Sequence, residues 1–236
     1  MKRLLALLLT AGLTIGLTGC GPEQGEPSSQ ESSGAESSRP ELSLPEQSYD
    51  LVEEMPDFYV QVLMMYGAAE DPETLELHPQ HASLFYGGGW EKGSELTAAD
   101  AYCWFLGFVN DLPEEEMRER YASPLGAGNG WFFPEEELES TMTAWFEGVT
   151  PDQFRADANF YDAEHHGYRT ITGPGIGEQP RLELGEVRPD GDLRVIPVYM
   201  DFESGADRRM ELTIRLSPDQ KSYQFVSWLP AQSQNI

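Results

Sequence analysis

Near residue 160 the apolar residues of this chain stop recurring every three or four positions and begin to alternate, and that change of period restricts the fold more than any other feature. Leu212, Ile214 and Leu216 alternate with Glu211, Thr213 and Arg215, so one face of that segment suits a core and the other suits water. Tyr168 to Thr172, Leu182 to Arg188, Leu193 to Phe202, Met210 to Leu216 and Tyr223 to Leu229 read as strands. Pro189-Asp190-Gly191-Asp192, Ser204-Gly205-Ala206-Asp207 and Ser217-Pro218-Asp219-Gln220 supply turn chemistry between them. Connections this short join antiparallel neighbours and predict a meander. Pro197 has no backbone N–H to give, which predicts an edge position or a bulge for its strand.

Before the switch the spacing is helical. Pro56 suits a first helical turn, and Phe58, Val62 and Met65 share a face. Residues 67–95 give no clean period because Pro72, Pro79 and Gly87-Gly88-Gly89 interrupt it. Thr97 followed by Asp100 matches a capping box with Asp in place of Glu. It predicts a helix to about Val109, apolar nearly all round and therefore buried. Pro113 with Glu114, Glu115 and Glu116, and Pro134 with Glu135, Glu136 and Glu137, start two more, since acids at a helix start complement its dipole. In the second of these, Leu138, Met142 and Trp145 form one face and Gly148 ends the helix. Thr150-Pro151 opens a further short turn.

Helices followed by strands predict an α+β fold: N-terminal helices packed on a curved antiparallel sheet of about five strands. The element order over about residues 97–230 resembles the cone-shaped nuclear-transport-factor-like fold. Members of that group include binding domains, interaction domains and some enzymes, so fold alone does not assign an activity. The resemblance implies a pocket between the concave sheet face and the helices, with Trp131 near its mouth.

The N-terminus carries an address. Lys2 and Arg3 precede an apolar run from Leu4 to Leu17, shorter than the roughly 20 residues that span a bilayer and of the length of a signal-peptide core. The run ends in Leu17-Thr18-Gly19-Cys20, which resembles the lipobox of bacterial lipoproteins. The resemblance implies diacylglycerol on the Cys20 sulfur, cleavage after Gly19, further acylation such as palmitate, and a lipid-anchored domain on the extracytoplasmic side of the cell membrane. Two or more acyl chains hold stably where one does not. Residues 20–47 then read as the lipidated Cys and a disordered Ser/Glu/Pro-rich tether, with little beyond Leu42 and Leu44 to bury. As a flexible coil it reaches roughly 30 Å, beyond the screening length of about 8 Å in physiological salt. Residues 48–236 remain as a single α+β domain.

Charge narrows the partners. The chain has 15 basic and 41 acidic residues and a net charge of −26. Loss of Lys2 and Arg3 with the leader takes the mature chain to −28. Such a surface repels nucleic acid and anionic lipid or wall polymer. It leaves a protein partner or a small neutral or cationic ligand, beside the membrane itself through the lipid. With Cys20 carrying lipid, Cys103 has no second cysteine with which to form a disulfide, and its apolar setting in Ala101-Tyr102-Cys103-Trp104 predicts a buried, inert thiol.

The motifs of hydrolases are missing: neither Gly-x-Ser-x-Gly nor Ser-x-x-Lys occurs. Gly173-Pro174-Gly175-Ile176-Gly177 lacks the Lys-Ser/Thr ending of a phosphate loop and reads as a turn. Asp157-Ala158-Asn159 opens like a calcium loop, but the sixth place holds Asp162 where Gly is required. Asp162, Glu164, His165 and His166 are the weak metal candidates, yet neighbouring histidines on a strand point to opposite faces, and a polar hairpin tip is the simpler reading. His78 and His81 read as loop residues. No cofactor motif is present. Trp131 and Phe133, after Gly126, Gly128 and Gly130, and Trp90, after three glycines, are the candidate ligand-binding residues, with burial in the core as the competing reading. The sequence therefore favours a non-catalytic ligand-binding or protein-interaction domain. Its alternatives are an envelope hydrolase using carboxylates or histidines, and a structural accessory of a membrane complex.

Overall fold

The computed structural model describes residues 57–80, 82–126, 130–169 and 178–231. The leader, Cys20, the tether, Pro56, His81, Gly128, Thr170 to Thr172 and the Gly173–Gly177 turn lie outside the described residues. The chain runs α1 (Phe58–Tyr66), β1 (Ala68–Glu70), β2 (Leu77–Pro79), α2 (Ala82–Tyr86), a 3-10 turn, α3 (Ala98–Val109) and α4 (Glu114–Tyr121). It continues with β3 (Phe132–Pro134), α5 (Glu135–Trp145), α6 (Pro151–Arg155), β4 (Tyr161–Asp162) and β5 (Gly167–Arg169). The C-terminal strands are β6 (Arg181–Leu184), β7 (Arg188–Asp190), β8 (Leu193–Asp201), β9 (Arg208–Leu216) and β10 (Tyr223–Pro230). This is an α+β fold built on a strongly curled antiparallel sheet. Among the described residues no helix is long and apolar enough to cross a membrane.

The sheet is larger than the pattern suggests. It has seven strands rather than about five, ordered β1-β2-β6-β8-β9-β10 with β7 also on β8. The β8-β9-β10 meander lies where the alternation puts it. Of the strands read from sequence, Leu182 to Arg188 divides into β6 and β7, with Pro189 and Asp190 in β7 and not in a turn, and Tyr168 and Arg169 belong to β5 in a second sheet; the unforeseen members are β1 and β2, whose three-residue lengths carry too little alternation to be read. His78 therefore sits in a strand, paired with Ala69, and not in a loop. A separate sheet, β3-β5-β4, joins Phe132–Pro134 to the Tyr161 hairpin.

Pro197 shows how the curl is accommodated. Its strand β8 is central, between β9 and the β6/β7 pair, which corrects the edge alternative. Between the Leu184–Val198 and Arg188–Val195 pairs, three residues stand opposite two, so the partner strand bulges where Pro197 faces it. The Pro197 carbonyl accepts from the Gly185 N–H at 2.8 Å, and the donor that proline lacks falls at the break, where the ladder does not need it.

The core lies between the inner sheet face and the helices. Ile196, Val198 and Met200 of β8 and Leu212 and Ile214 of β9 are fully buried there. On α3 the Thr97 hydroxyl accepts from the Asp100 N–H, and the Asp100 carboxylate accepts from the Thr97 N–H at 2.9 Å, as the capping box requires. Leu138, Met142 and Trp145 form the buried stripe of α5.

The outer edge of β10 is closed by backbone from the helical half of the chain. Trp90 and Trp228 exchange N–H···O bonds of 2.7 and 2.9 Å, and the Phe225 carbonyl accepts from the Glu147 N–H at 2.9 Å. Gly89 makes the first contact possible. It has φ +89°, and a Cβ there would lie 2.3 Å from the Trp228 carbonyl oxygen. Gly89→Ala should therefore destabilise the domain by about 2 kcal/mol, from positive-φ strain plus displacement of the bridge. A fall in the urea midpoint at unchanged slope would register it.

Candidate functional site

The helix with most to offer a ligand is α3. Trp104, Gly107, Phe108 and Asp111 recur at helical spacing, so they share one side of α3 and its C-terminal extension. Gly107 has no side chain, which leaves a gap on that side. Met64, Met65 and Gly67 at the end of α1, the whole of β1, and Gln80 stand opposite, with Val109 and Leu112 completing a cleft of about 510 Å³, within the size range of ligand pockets. Trp104 forms its floor, 2% exposed, with its indole N–H donating to the Met65 carbonyl at 3.0 Å. The Phe108 ring stacks on it at 5.3 Å. Met64 is 43% exposed, and Glu70 and Asp111 stand exposed at the rim. The lining is mostly apolar, with flexible methionine at the mouth.

The most developed polar cluster lies elsewhere, along α5. Glu139 is buried, and its carboxylate accepts from Arg155 Nε at 2.7 Å and Nη2 at 2.6 Å, a bidentate pair, and from the Tyr168 hydroxyl at 2.7 Å. One turn earlier Glu135 accepts from the Tyr161 hydroxyl and lies 3.9 Å from Arg155 Nε and 3.4 Å from His166 Nδ1. The set ties α5 to α6, β4 and β5. The Tyr161 bond, then Arg155 and His166, outweigh partial burial and hold the Glu135 carboxyl below its ordinary value. Burial first, then the bond to Glu139, pushes the Tyr168 phenol well above its own. A glycosidase-type acid needs a carboxyl kept protonated near neutrality, and Glu135 is driven the opposite way. The groove beside these residues, also lined by Glu136, Ser140, Thr143 and Pro151, is shallow and open.

A depressed carboxyl stabilises the fold above its unfolded pKa, near 4.3 to 4.5 for Glu, and that contribution is lost as pH falls through the lower folded value. Glu135→Gln should therefore be less stable than the parent at pH 7, with the gap closing as pH drops below about 4. Urea melts of both proteins at pH 7 and pH 3 check this; a gap that persists at pH 3 would assign the loss to shape and not to charge.

The candidates read from sequence are dispersed. Phe133 is fully buried among Tyr102, Phe105 and Tyr121. Trp90 is 5% exposed and donates its indole N–H to the Tyr66 hydroxyl at 3.0 Å. In this conformation both rings belong to the core and offer no face to a ligand. Trp131 is half-buried against the core, with its carbonyl accepting from the Tyr102 hydroxyl at 2.9 Å, and it does not line the cleft. The inner sheet face beneath the helices is packed shut at β8 and β9, so the pocket implied there is filled by side chains.

The histidine pair diverges. Asp162 accepts from the backbone of Glu164 and His165 and lies 3.2 Å from His165 Nδ1, whereas His166 turns to Glu135. Burial pushes the Asp162 carboxyl up, but these bonds together hold it below its ordinary value. Glu164 contributes its backbone N–H to this turn. His166 adopts φ +53°, and its carbonyl accepts from the Glu135 N–H at 3.0 Å, closing the start of α5. Among the described residues no three His, Cys, Asp or Glu side chains converge as metal ligands. Cys103 is half-buried on α3 and packs against the core.

No protein-family model matches this chain, and it matches no curated protein and no solved structure.

Proposed function

We propose that the chain is a bacterial lipoprotein, anchored at the extracytoplasmic face of the cell membrane through lipid on Cys20, whose domain is a cone-shaped, non-catalytic binding or interaction module. One observation carries the binding role: the cleft between α1, β1 and α3 is apolar, of ligand size and bordered by a gap at Gly107. The polar cluster around Glu139 supports the non-catalytic part, because its carboxylates are taken up by Arg155, Tyr161 and Tyr168 within the fold. The anchor rests on Leu17-Thr18-Gly19-Cys20 and the apolar run before it.

A ligand that fills the cleft raises the unfolding temperature by mass action. Envelope-derived small molecules and peptides screened by thermal shift should give hits on the parent chain that disappear in Gly107→Leu, which closes the cleft. Turnover of an envelope substrate by a homogeneous sample, lost on a single substitution, would overturn the non-catalytic reading. In cells, labelled palmitate should enter the parent and not Cys20→Ala, and the variant should leave the membrane fraction. A parent chain that takes up no label would remove the anchor.

A further inference from the structure

The cleft has an electrostatic character that its apolar lining conceals. Two helices end on it. Met64 and Met65 belong to the last turn of α1, and Gly107, Phe108 and Val109 to the last turn of α3. A helix C-terminus carries partial negative charge, which a basic residue in the last turn usually offsets; neither helix has one. Glu70 and Asp111 add two full charges at the rim, and among the described residues neither carboxylate has a hydrogen-bond or ion-pair partner. Among the described residues no Lys or Arg lines the cleft. Along the sequence that builds the cleft, Lys92 is the single Lys or Arg between Asp57 and Met117, a stretch with twelve acids.

An apolar floor beneath two rim carboxylates and two helix ends that carry no basic residue selects one kind of guest. A neutral apolar molecule gains only burial, and an anion is repelled. A cation on an apolar body gains burial and also places its charge beside four negative groups and near the stacked Trp104–Phe108 pair. Opposite charge at the rim is the complementarity that steers and orders such a ligand. We propose that this cleft is a binding site for a small organic cation, an ammonium or guanidinium group carried on an aliphatic or aromatic body. The proposal rests on the binding role assigned above to the same cleft and adds the class of ligand.

Three probes with one tail separate charge from burial: octyltrimethylammonium, 1-octanol and octanoate, titrated by calorimetry at low salt against the Cys20→Ala chain. The cation should bind about 10-fold more tightly than the alcohol, and octanoate most weakly. Glu70→Gln combined with Asp111→Asn should shrink the advantage of the cation to about the part the helix ends supply, within about 3-fold. Raising the salt should shrink it too. Gly107→Leu should abolish all three heats. Equal binding of cation and alcohol, lost in Gly107→Leu, would overturn charge selection and leave the binding role intact. Binding that survives Gly107→Leu, or none from any probe, would overturn the small-cation site together with the reading of the cleft beneath it. An advantage untouched in the double variant would also overturn the proposal, because it would then come from the net charge at large.

Discussion

Phe225→Ala should cost the domain about 4 kcal/mol, the middle of the range for truncating a buried aromatic ring. Phe225 is fully buried on β10. Its ring lies 5.2 Å from Tyr66, 5.1 Å from Phe146 and 5.6 Å from Tyr223, and stacks on Trp145 at 6.1 Å. Those partners come from α1, from α5 and the residue after it, and from β10 itself, so none can follow the missing ring without breaking its own element. The void therefore stays largely open. Phe225→Leu keeps most of the volume and should cost about half as much or less. Urea unfolding followed by tryptophan fluorescence measures both. A loss near 1 kcal/mol for the alanine variant would mean that the cluster collapses freely and the packing is looser than the ring geometry indicates.

Glu139→Ala should cost about 3 kcal/mol. The change removes the acceptor for a fully buried Tyr168 hydroxyl and the counter-charge of Arg155. An orphaned buried hydroxyl costs about 1 to 3 kcal/mol. Breaking a buried ion pair adds to that, but the Arg155 side chain is 41% exposed and water takes over part of the role of the carboxylate. Glu139→Gln keeps one acceptor and should lose about half as much. Tyr168→Phe on top of Glu139→Ala should restore stability relative to the single variant, because the orphan disappears with the hydroxyl. Additive losses in that double variant would show that the two groups are not coupled and that the bond does not hold α5 to β5.

Much of the fold is legible from sequence, for stated physical reasons. The alternation of Leu212, Ile214 and Leu216 marks a strand with one wet face, and that is how β9 lies. Thr97 and Asp100 fix the start of α3 because capping is a local interaction that needs no tertiary knowledge. The short strands β1, β2 and β3 are invisible because three residues cannot display a period, and their pairing depends on partners up to 105 positions away, as Leu77 with Leu182. The three glycines before Trp90 mark it as a candidate ligand-binding residue when read alone. In the fold, Gly89 serves close backbone approach, which carries Trp90 into the core.

The candidate site was harder to see. The apolar residues surrounding α3 predict complete burial, and the half-exposed side that includes Gly107 and Phe108 appears only once α1 and β1 are placed. Glu139 is one acid among several in Glu135-Glu136-Glu137-Leu138-Glu139. Its burial follows from its place one turn after Glu135 on the side that meets Arg155, a residue 16 positions on.

The bridging of β10 to the helical half also sets when this domain can fold. Trp228 of β10 meets Tyr66 at 5.4 Å and Phe85 at 5.5 Å and hydrogen-bonds the Trp90 backbone, far from it in sequence. The core of α1 and α2 stays open until the final strand arrives. Closing the core around α1 and α2 therefore requires contacts of long sequence separation, which form slowly.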